Sequence, residues 1–502
     1  MNVFGLIDIP VWILLIFFIL SLAIVYITST HGMLRAAGVP GPPPGIFGIV
    51  NEYNKKGVGQ TDLDLVKQYG RLVGIYHVRV PILLVADVDI VKEICVKEFP
   101  RYTNRVVMLP NDEVNQLSVG NARDEDWKFT RSLLSSSFSS GKIKRMIPLI
   151  ESCIQTLLKN IKNKAETGEE FEMKRFMSNF TLDVICSVAF GIDIDSQNDP
   201  NNPYVRNALT AINISFRSPV MILCFLFPFM KDIFEKMGMT FLDRKSQNFF
   251  VEQTSKVIKE KIQDPKKRDD ILQLMINVKE ESQQNESYSV GGVHKVFTDL
   301  HIISNSITFL IAGFETTSNT LSFISYLLAT HPELQDKMVQ ELDYFAGEGE
   351  ITNDNLFKLH YMDRFISETL RMYPPAIRTN REVSEDTEIA GHKIPRGTEI
   401  NIAIYAIHHD PEYWNDPETF DPDRFLPDRM GPNPSCFLPF GIGPRNCIGM
   451  RLALTEMKVA LVSILRQYRF VTSPSTQIPL VLAKNEVMLM AEKGIWLKIQ
   501  AR

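Results

Sequence analysis

The sequence predicts a mainly α-helical catalytic domain with small β-sheets, preceded by an N-terminal transmembrane helix. Three observations carry that expectation. Residues 9–30 hold no charged side chain, and 11–27 is almost wholly aliphatic or aromatic. Helical periodicity dominates the remainder, above all at 296–330, which reads as one long, mostly apolar helix. Stretches rich in Val, Ile and Leu at 71–85 and 388–404 alternate and are broken by Pro or Gly, as small sheets are.

At a rise of about 1.5 Å per residue, the apolar run can cross a hydrocarbon core of about 30 Å. A cleaved signal peptide fits less well, because no basic segment precedes the run and the run exceeds a signal's apolar core. Lys and Arg are absent before the span, whereas Arg35, Lys55 and Lys56 follow it, which places the bulk of the chain in the cytosol. Asn179, Asn213 and Asn285 head N-x-S/T triplets that a cytosolic domain would leave unmodified. Pro40-Gly-Pro-Pro-Pro-Gly45 is stiff and cannot continue a helix. The expected domains are therefore an anchor at 1–30, a linker with this proline-rich hinge at 31–46, and a catalytic domain at 47–502.

A net charge of −5 over 502 residues argues against a nucleic-acid partner, and 45% hydrophobic content supplies a large core. Cys95, Cys153, Cys186, Cys224, Cys436 and Cys447 are scattered without pairing spacings, which suits a reducing compartment. Residues 71–85 suggest a hairpin or meander with Pro81 as a break. Asp124 opens an acidic helix start that places Trp127 and Arg131 on one face, where they can hold a carboxylate or simply pack. Residues 216–234 are strongly apolar but Pro-interrupted and too short to span; residues 256–286 are polar and solvated. His408 and His409 sit on a turn with no third ligand and are expected at the surface, and Lys484-Asn485 is expected to turn a C-terminal hairpin.

The long helix contains Ala312-Gly-Phe-Glu-Thr-Thr317. Gly and two threonines weaken a helix, and the hydroxyls can bond backbone carbonyls and open the turn. A carboxylate in such apolar surroundings must be paired or protonated, so Glu315 and Thr316 suggest a proton relay. Glu368 and Arg371 form an E-x-x-R pair that says little alone, since a surface ion pair is worth at most about 1 kcal/mol.

Phe440-Gly-Ile-Gly-Pro-Arg-Asn-Cys-Ile-Gly449 is a shaped loop running into helical periodicity at 450–463. It presents Cys447 just before a helix N-terminus, where free amides favour a thiolate, with Arg445 two residues away. A zinc site lacks ligands: Cys436 is the sole other candidate nearby. A thiolate on a cofactor metal and a buried inert cysteine both remain open on these residues alone.

The spacing F-x-x-G-x-R-x-C-x-G, filled by Phe440, Gly443, Arg445, Cys447 and Gly449, resembles the haem-binding loop of cytochromes P450. The A-G-x-E-T-T, E-x-x-R and Phe420–Phe425 segments occur in the order of that family, and details look most like its microsomal family-3 branch. The resemblance implies the P450 fold, with haem b between the long distal helix and the loop, and Cys447 as axial thiolate. It implies propionate contacts from Arg445, Trp127 and Arg131, with Arg105 and Arg378 as further ones. It gives Thr316 and Glu315 the oxygen-side roles, and makes Glu368, Arg371 and Arg424 a structural lock. Pocket candidates are Ile311, Ala312, Ala376, Ile377, Leu482 and residues 106–119, and 216–234 would roof the pocket and dip into membrane lipid.

The activity so implied is insertion of one atom of O2 into a lipophilic small molecule (xenobiotic, steroid or fatty acid). Electrons would come from NADPH–cytochrome P450 reductase, with cytochrome b5 as a further partner, because no intact dinucleotide fingerprint is present. The docking face would be Lys128, Lys142, Lys144, Arg145 and Arg451. Location would be the endoplasmic reticulum membrane, single-pass, facing the cytosol. Two other functions share the fold: a haem-thiolate isomerase of lipid peroxides, which needs no reductase, and a non-catalytic haem sensor.

Overall fold

The computed structural model describes all residues except 1, 4–6, 9–10, 108, 200, 213–218, 241, 265–267, 285–288, 291–292, 348, 350, 430–432 and 485–487. Asn213, Asn285, Asn485 and part of the 216–234 stretch therefore lie outside the described residues. Helix α1 (Val11–Thr28) stands largely exposed and is the one helix among the described residues apolar and long enough to cross a membrane. At its C-terminal end Tyr26 stacks on Phe227 at 5.6 Å, and the Arg79 guanidinium lies 3.9 Å above the Tyr26 ring.

Beyond the hinge come α2 (Val58–Tyr69) and the antiparallel strands β1 (Leu72–His77) and β2 (Val80–Val85). Pro81 does not break β2: it pairs with Tyr76, and lies just outside the stretch that β2 pairs with its second neighbour, so its missing N–H is not needed there. The helices that build the site are α3 (Asp124–Ser135), α4 (Ser140–Thr167), α5 (Met173–Ile185), α6 (Asp299–Thr330), α7 (His360–Met372) and α8 (Met450–Leu465). Strands β3 (Thr379–Glu382) and β4 (Glu399–Ile402) complete a sheet in the order β1-β2-β4-β3, with β4 parallel to β2. A second sheet joins Tyr468–Thr472, Trp496–Ala501 and Phe171–Glu172.

Helix α6 is the axis of the larger core, capped at its start by Thr298, whose hydroxyl accepts the His301 N–H. Its threonines do not open it. Thr316 and Thr320 each donate to the carbonyl one turn earlier, at 2.7 and 2.9 Å, and the helix stays continuous. Helix α5 lies close against it because residue 313 is glycine: a Cβ there would fall 2.7 Å from the Ile185 side chain. A second core fills the space between α2 and the four-stranded sheet.

His408 and His409 are not at the surface. His408 is fully buried, donating to the Arg371 carbonyl at 3.0 Å and accepting the Leu438 N–H at 2.9 Å. Burial and the neighbouring Arg371 hold it neutral, well below the usual histidine range. The residue thus ties α7 to the chain entering the cysteine loop, a partnership between distant segments that no local pattern announces.

Candidate active site

Two hydrogen bonds close the cysteine loop: Cys447 N–H donates to the Phe440 carbonyl at 2.8 Å, and Asn446 N–H to Gly443 at 3.0 Å. Gly443 has φ 78°, and a Cβ there would lie 1.9 Å from the Cys95 carbonyl, so only glycine fits. Gly449 has ordinary φ and open space around it; its role is its amide, which with that of Met450 hydrogen-bonds the Cys447 sulfur. Burial pushes the Cys447 thiol up, and those amides with Arg131 and Arg105 act in the opposite direction. The residue is exposed and lines a cavity of about 620 Å³.

That cavity runs between the cysteine loop and α6. On α6 its lining is Thr308, Ala312, Thr316 and Thr320, at every fourth position, together with the adjoining Phe309, Gly313 and Thr317. Helical phase removes two expected residues from it. Ile311 and Glu315, four apart, share the neighbouring stripe: Ile311 packs into the core, and Glu315 pairs with Lys174 of α5 at 2.6 Å. The Glu315 carboxylate therefore stands outside the cavity, while Thr316 lines it. Ala376 lines it too, but Ile377 is turned into the sheet-side core and Leu482 packs on both cores. Among described residues of 106–119, Val119 alone lines the cavity, and none of 219–237 does.

One wall is built of guanidinium groups. Arg105, Arg131, Arg381 and Arg445 all line the cavity without a carboxylate partner among the described residues. Arg131 donates to the Asn446 carbonyl and side-chain oxygen at 3.0 and 2.8 Å; Arg445 donates to the Ala122 carbonyl at 2.6 Å and lies 4.4 Å over the Trp127 ring. The Nε atoms of Arg105, Arg381 and Arg445 are buried and have no hydrogen-bond partner among the described residues. Burial, then Arg105, Arg381, Arg123 and Arg131, drive Arg445 down to about 8, and burial with Arg381 drives Arg105 down to about 10. Buried like charges with idle donors demand an anionic ligand. The two propionates of a haem would meet that demand, Cys447 would supply its thiolate, and the small residues Ala312 and Gly313 of α6 leave room for it.

Arg378 is not part of this wall as expected. Its Nε donates to Asp62 at 2.5 Å, and a second nitrogen meets Asp62 again and the Tyr53 hydroxyl. Arg381, three residues on and missed in the sequence, holds the guanidinium without a carboxylate partner among the described residues; it donates to the Asn380 carbonyl at 2.7 Å. Its arginine-x-x-arginine spacing was visible, but the buried acid that occupies Arg378 lies 316 residues earlier.

The structural trio is assembled. Arg371 forks onto both Glu368 oxygens at 2.7 and 2.9 Å, Arg424 reaches Glu368 at 3.2 Å, and Glu368 and Arg371 are wholly inaccessible to solvent. Glu456 of α8 was not anticipated. It lines the cavity's apolar end, is 3% exposed, and one of its oxygens has no partner. Burial alone pushes its carboxyl well above the usual range, so it is a neutral acid in the fold. An unfolded chain releases that proton at an ordinary carboxylate pH, so stability falls as pH rises, by about 1.4 kcal/mol per unit, until the folded group ionises. Glu456→Gln removes this dependence. Its melting temperature should exceed the native one at pH about 8, with the gap closing toward pH about 5; a gap independent of pH would refute the neutral acid.

A family model described as Cytochrome P450 matches residues 39–499. Cytochrome P450 3A6 of Oryctolagus cuniculus is 39% identical over 498 residues, covering 98% of this chain and 97% of that one. Human cytochrome P450 3A5 is 38% identical over 497 residues, covering 98% and 96%. Cytochrome P450 3A41 of Mus musculus is 38% identical over 507 residues, covering 100% and 99%.

Proposed function

The chain belongs to the cytochrome P450 family, and we propose that it oxidises a lipophilic small molecule with electrons from NADPH–cytochrome P450 reductase, with cytochrome b5 as a second donor. Membership makes it a P450 monooxygenase, a haem-thiolate oxidoreductase that uses O2, a redox partner and lipophilic substrates. The observation that carries the site reading is the wall of arginines, without a carboxylate partner among the described residues, that lines the cavity with Cys447.

When bound, haem supplies reductive activation of O2 and transfer of one oxygen atom. The chain's residues do the rest. Cys447 would provide the anionic sulfur, and Arg105, Arg131, Arg381 and Arg445, which line the cavity, would take the carboxylates and orient the ring. Ala312 and Gly313 keep bulk off the distal side. The Thr316 hydroxyl, now donating to Ala312, can turn its proton to a water or O2 in the cavity. Glu315 would exchange protons with solvent beside Lys174 and deliver them only after leaving that pair. Thr316→Ala should lower product formed per NADPH by about tenfold and raise peroxide correspondingly, while Thr316→Ser keeps coupling. Unchanged coupling in the alanine variant would remove Thr316 from the relay.

The exposed α1, leading into a hinge, supports a single-pass anchor in the endoplasmic reticulum membrane, with the catalytic domain in the cytosol. Lys128, Lys142, Lys144, Arg145 and Arg451 form the proposed docking face for the acidic flavoprotein. Turnover of a substrate with the reductase and NADPH, and none when either is omitted, tests the assignment. Conversion of a lipid peroxide without NADPH would favour an isomerase instead.

A further inference from the structure

The C-terminal end of α1 is built without acids. Three segments meet there: the chain leaving α1, the turn between β1 and β2, and 219–231. No Asp or Glu occurs at 9–51, 71–86 or 219–231. The Thr30 hydroxyl donates to the Arg79 carbonyl, and the His31 ring donates to the Val78 carbonyl at 2.7 Å. Phe225 packs 4.5 Å from the His77 ring, and Phe227 and Phe229 lie 5.6 and 6.4 Å from the Tyr26 ring. The Val78 N–H donates to the Phe47 carbonyl at 3.3 Å, which sets the exposed Ile46 and Phe47 beside the turn. Ile222 and Phe229 are exposed as well, so the end of α1 wears an apolar collar.

Arg79 stands beside this collar. Its guanidinium lies 3.9 Å over the Tyr26 ring, and one terminal nitrogen reaches the Ser29 hydroxyl at 3.4 Å. Its Nε is buried without a hydrogen-bond partner, and no carboxylate pairs with it among the described residues. The ring and Ser29 hold the plane of the group while its charge stays unanswered. With α1 read as the membrane anchor, on which the inference rests, Tyr26 takes the place of an interfacial aromatic and Arg79 stands at the level of the lipid phosphates. We propose that Arg79, held by Tyr26 and Ser29, is a binding site for the phosphate of an anionic phospholipid in the cytosolic leaflet. A phosphate diester accepts two parallel N–H bonds from the edge of a guanidinium. A zwitterionic head group brings its own cation into a zone that already holds Arg79 and the exposed Arg35, whereas phosphatidylserine brings net negative charge. The anchor is thus more than a tether: its last turn, the β1–β2 turn and one lipid form a joint that sets how the domain lies on the membrane.

The test uses the full-length holoprotein in phosphatidylcholine nanodiscs that carry a trace of a photoactivatable lipid, labelled in its acyl chain, and reads cross-linking to segments 24–34 and 76–81. The phosphatidylserine probe should label them at least about tenfold more than a phosphatidylcholine probe with the same chain; equal labelling overturns the proposal. Arg79→Gln should lower the phosphatidylserine signal about tenfold, while Arg35→Gln lowers it less than about threefold. Equal losses in the two variants would mean general attraction to a basic surface and no site. If Arg79→Gln yields no ferrous–CO band, Tyr26→Leu replaces it, and labelling should fall at least about threefold, with no fall counting against the site. Excess inorganic phosphate should leave the labelling unchanged; displacement would make this a site for free phosphate and overturn the lipid assignment. Native protein that alkaline carbonate strips from membranes would defeat the reading of α1 as an anchor. With the protein retained, absent head-group preference defeats the phosphate site alone.

Discussion

Replacing Cys447 by serine should abolish the thiolate-type ferrous–CO absorption and lower monooxygenation by more than about a hundredfold. Changes one shell outside a metal already cost about 10–100-fold, and this change replaces the ligand. The loop is built for sulfur. Its amides at Gly449 and Met450 and the nearby Arg131 and Arg105 oppose the burial that would keep the thiol protonated, and metal binding removes the proton outright. A serine hydroxyl in the same cradle ionises far less readily and donates far less charge. The arginine wall is untouched by the substitution, so haem should still be extracted with the protein in near-stoichiometric amount. Retained haem with an altered CO spectrum separates loss of the ligand from loss of the site. A retained thiolate band would overturn the assignment of Cys447.

The fold class and the cysteine loop were legible because their signals are local. Glycines at fixed offsets, a long apolar helix and a charge-free N-terminus each act within a few residues of where they are read. What was not legible depends on phase or on distant partners. Ile311 and Glu315 sit one residue from the cavity stripe of α6, and a 100° turn per residue sends Glu315 to Lys174 on α5. Arg378 and Arg381 are alike in sequence, and Asp62 decides which of them lacks a carboxylate partner. His408 looked like a surface residue because its partners, Arg371 and Leu438, belong to other segments. The raised carboxyl of Glu456 gave no signal, since burial alone shifts it.

The same dependence on burial governs the second large effect, loss of the Glu368 lock. An E-x-x-R pair read from the sequence invites the surface value of about 1 kcal/mol or less. Here Glu368 and Arg371 have no solvent access, and the guanidinium also donates to the carbonyls of His408 and Pro417, each at 2.8 Å. Arg424 and the Asp421 N–H complete the carboxylate's partners at 3.2 and 3.1 Å. Glu368→Gln would leave two buried guanidinium groups facing a neutral amide, at a cost of about 3–5 kcal/mol, comparable with much of a domain's total margin. Folded holoprotein recovered from membranes, measured by haem content and the ferrous–CO band, should fall to background. Arg371→Lys should fail as well, because an ammonium cannot fork onto both carboxylate oxygens and still reach two carbonyls. Glu125→Gln supplies the contrast: its pair with Lys128 has the same i,i+3 spacing at 2.6 Å but is half exposed, so recovery should not change. Native recovery of Glu368→Gln would mean that this buried network is not what joins α7 to the chain leading into the cysteine loop.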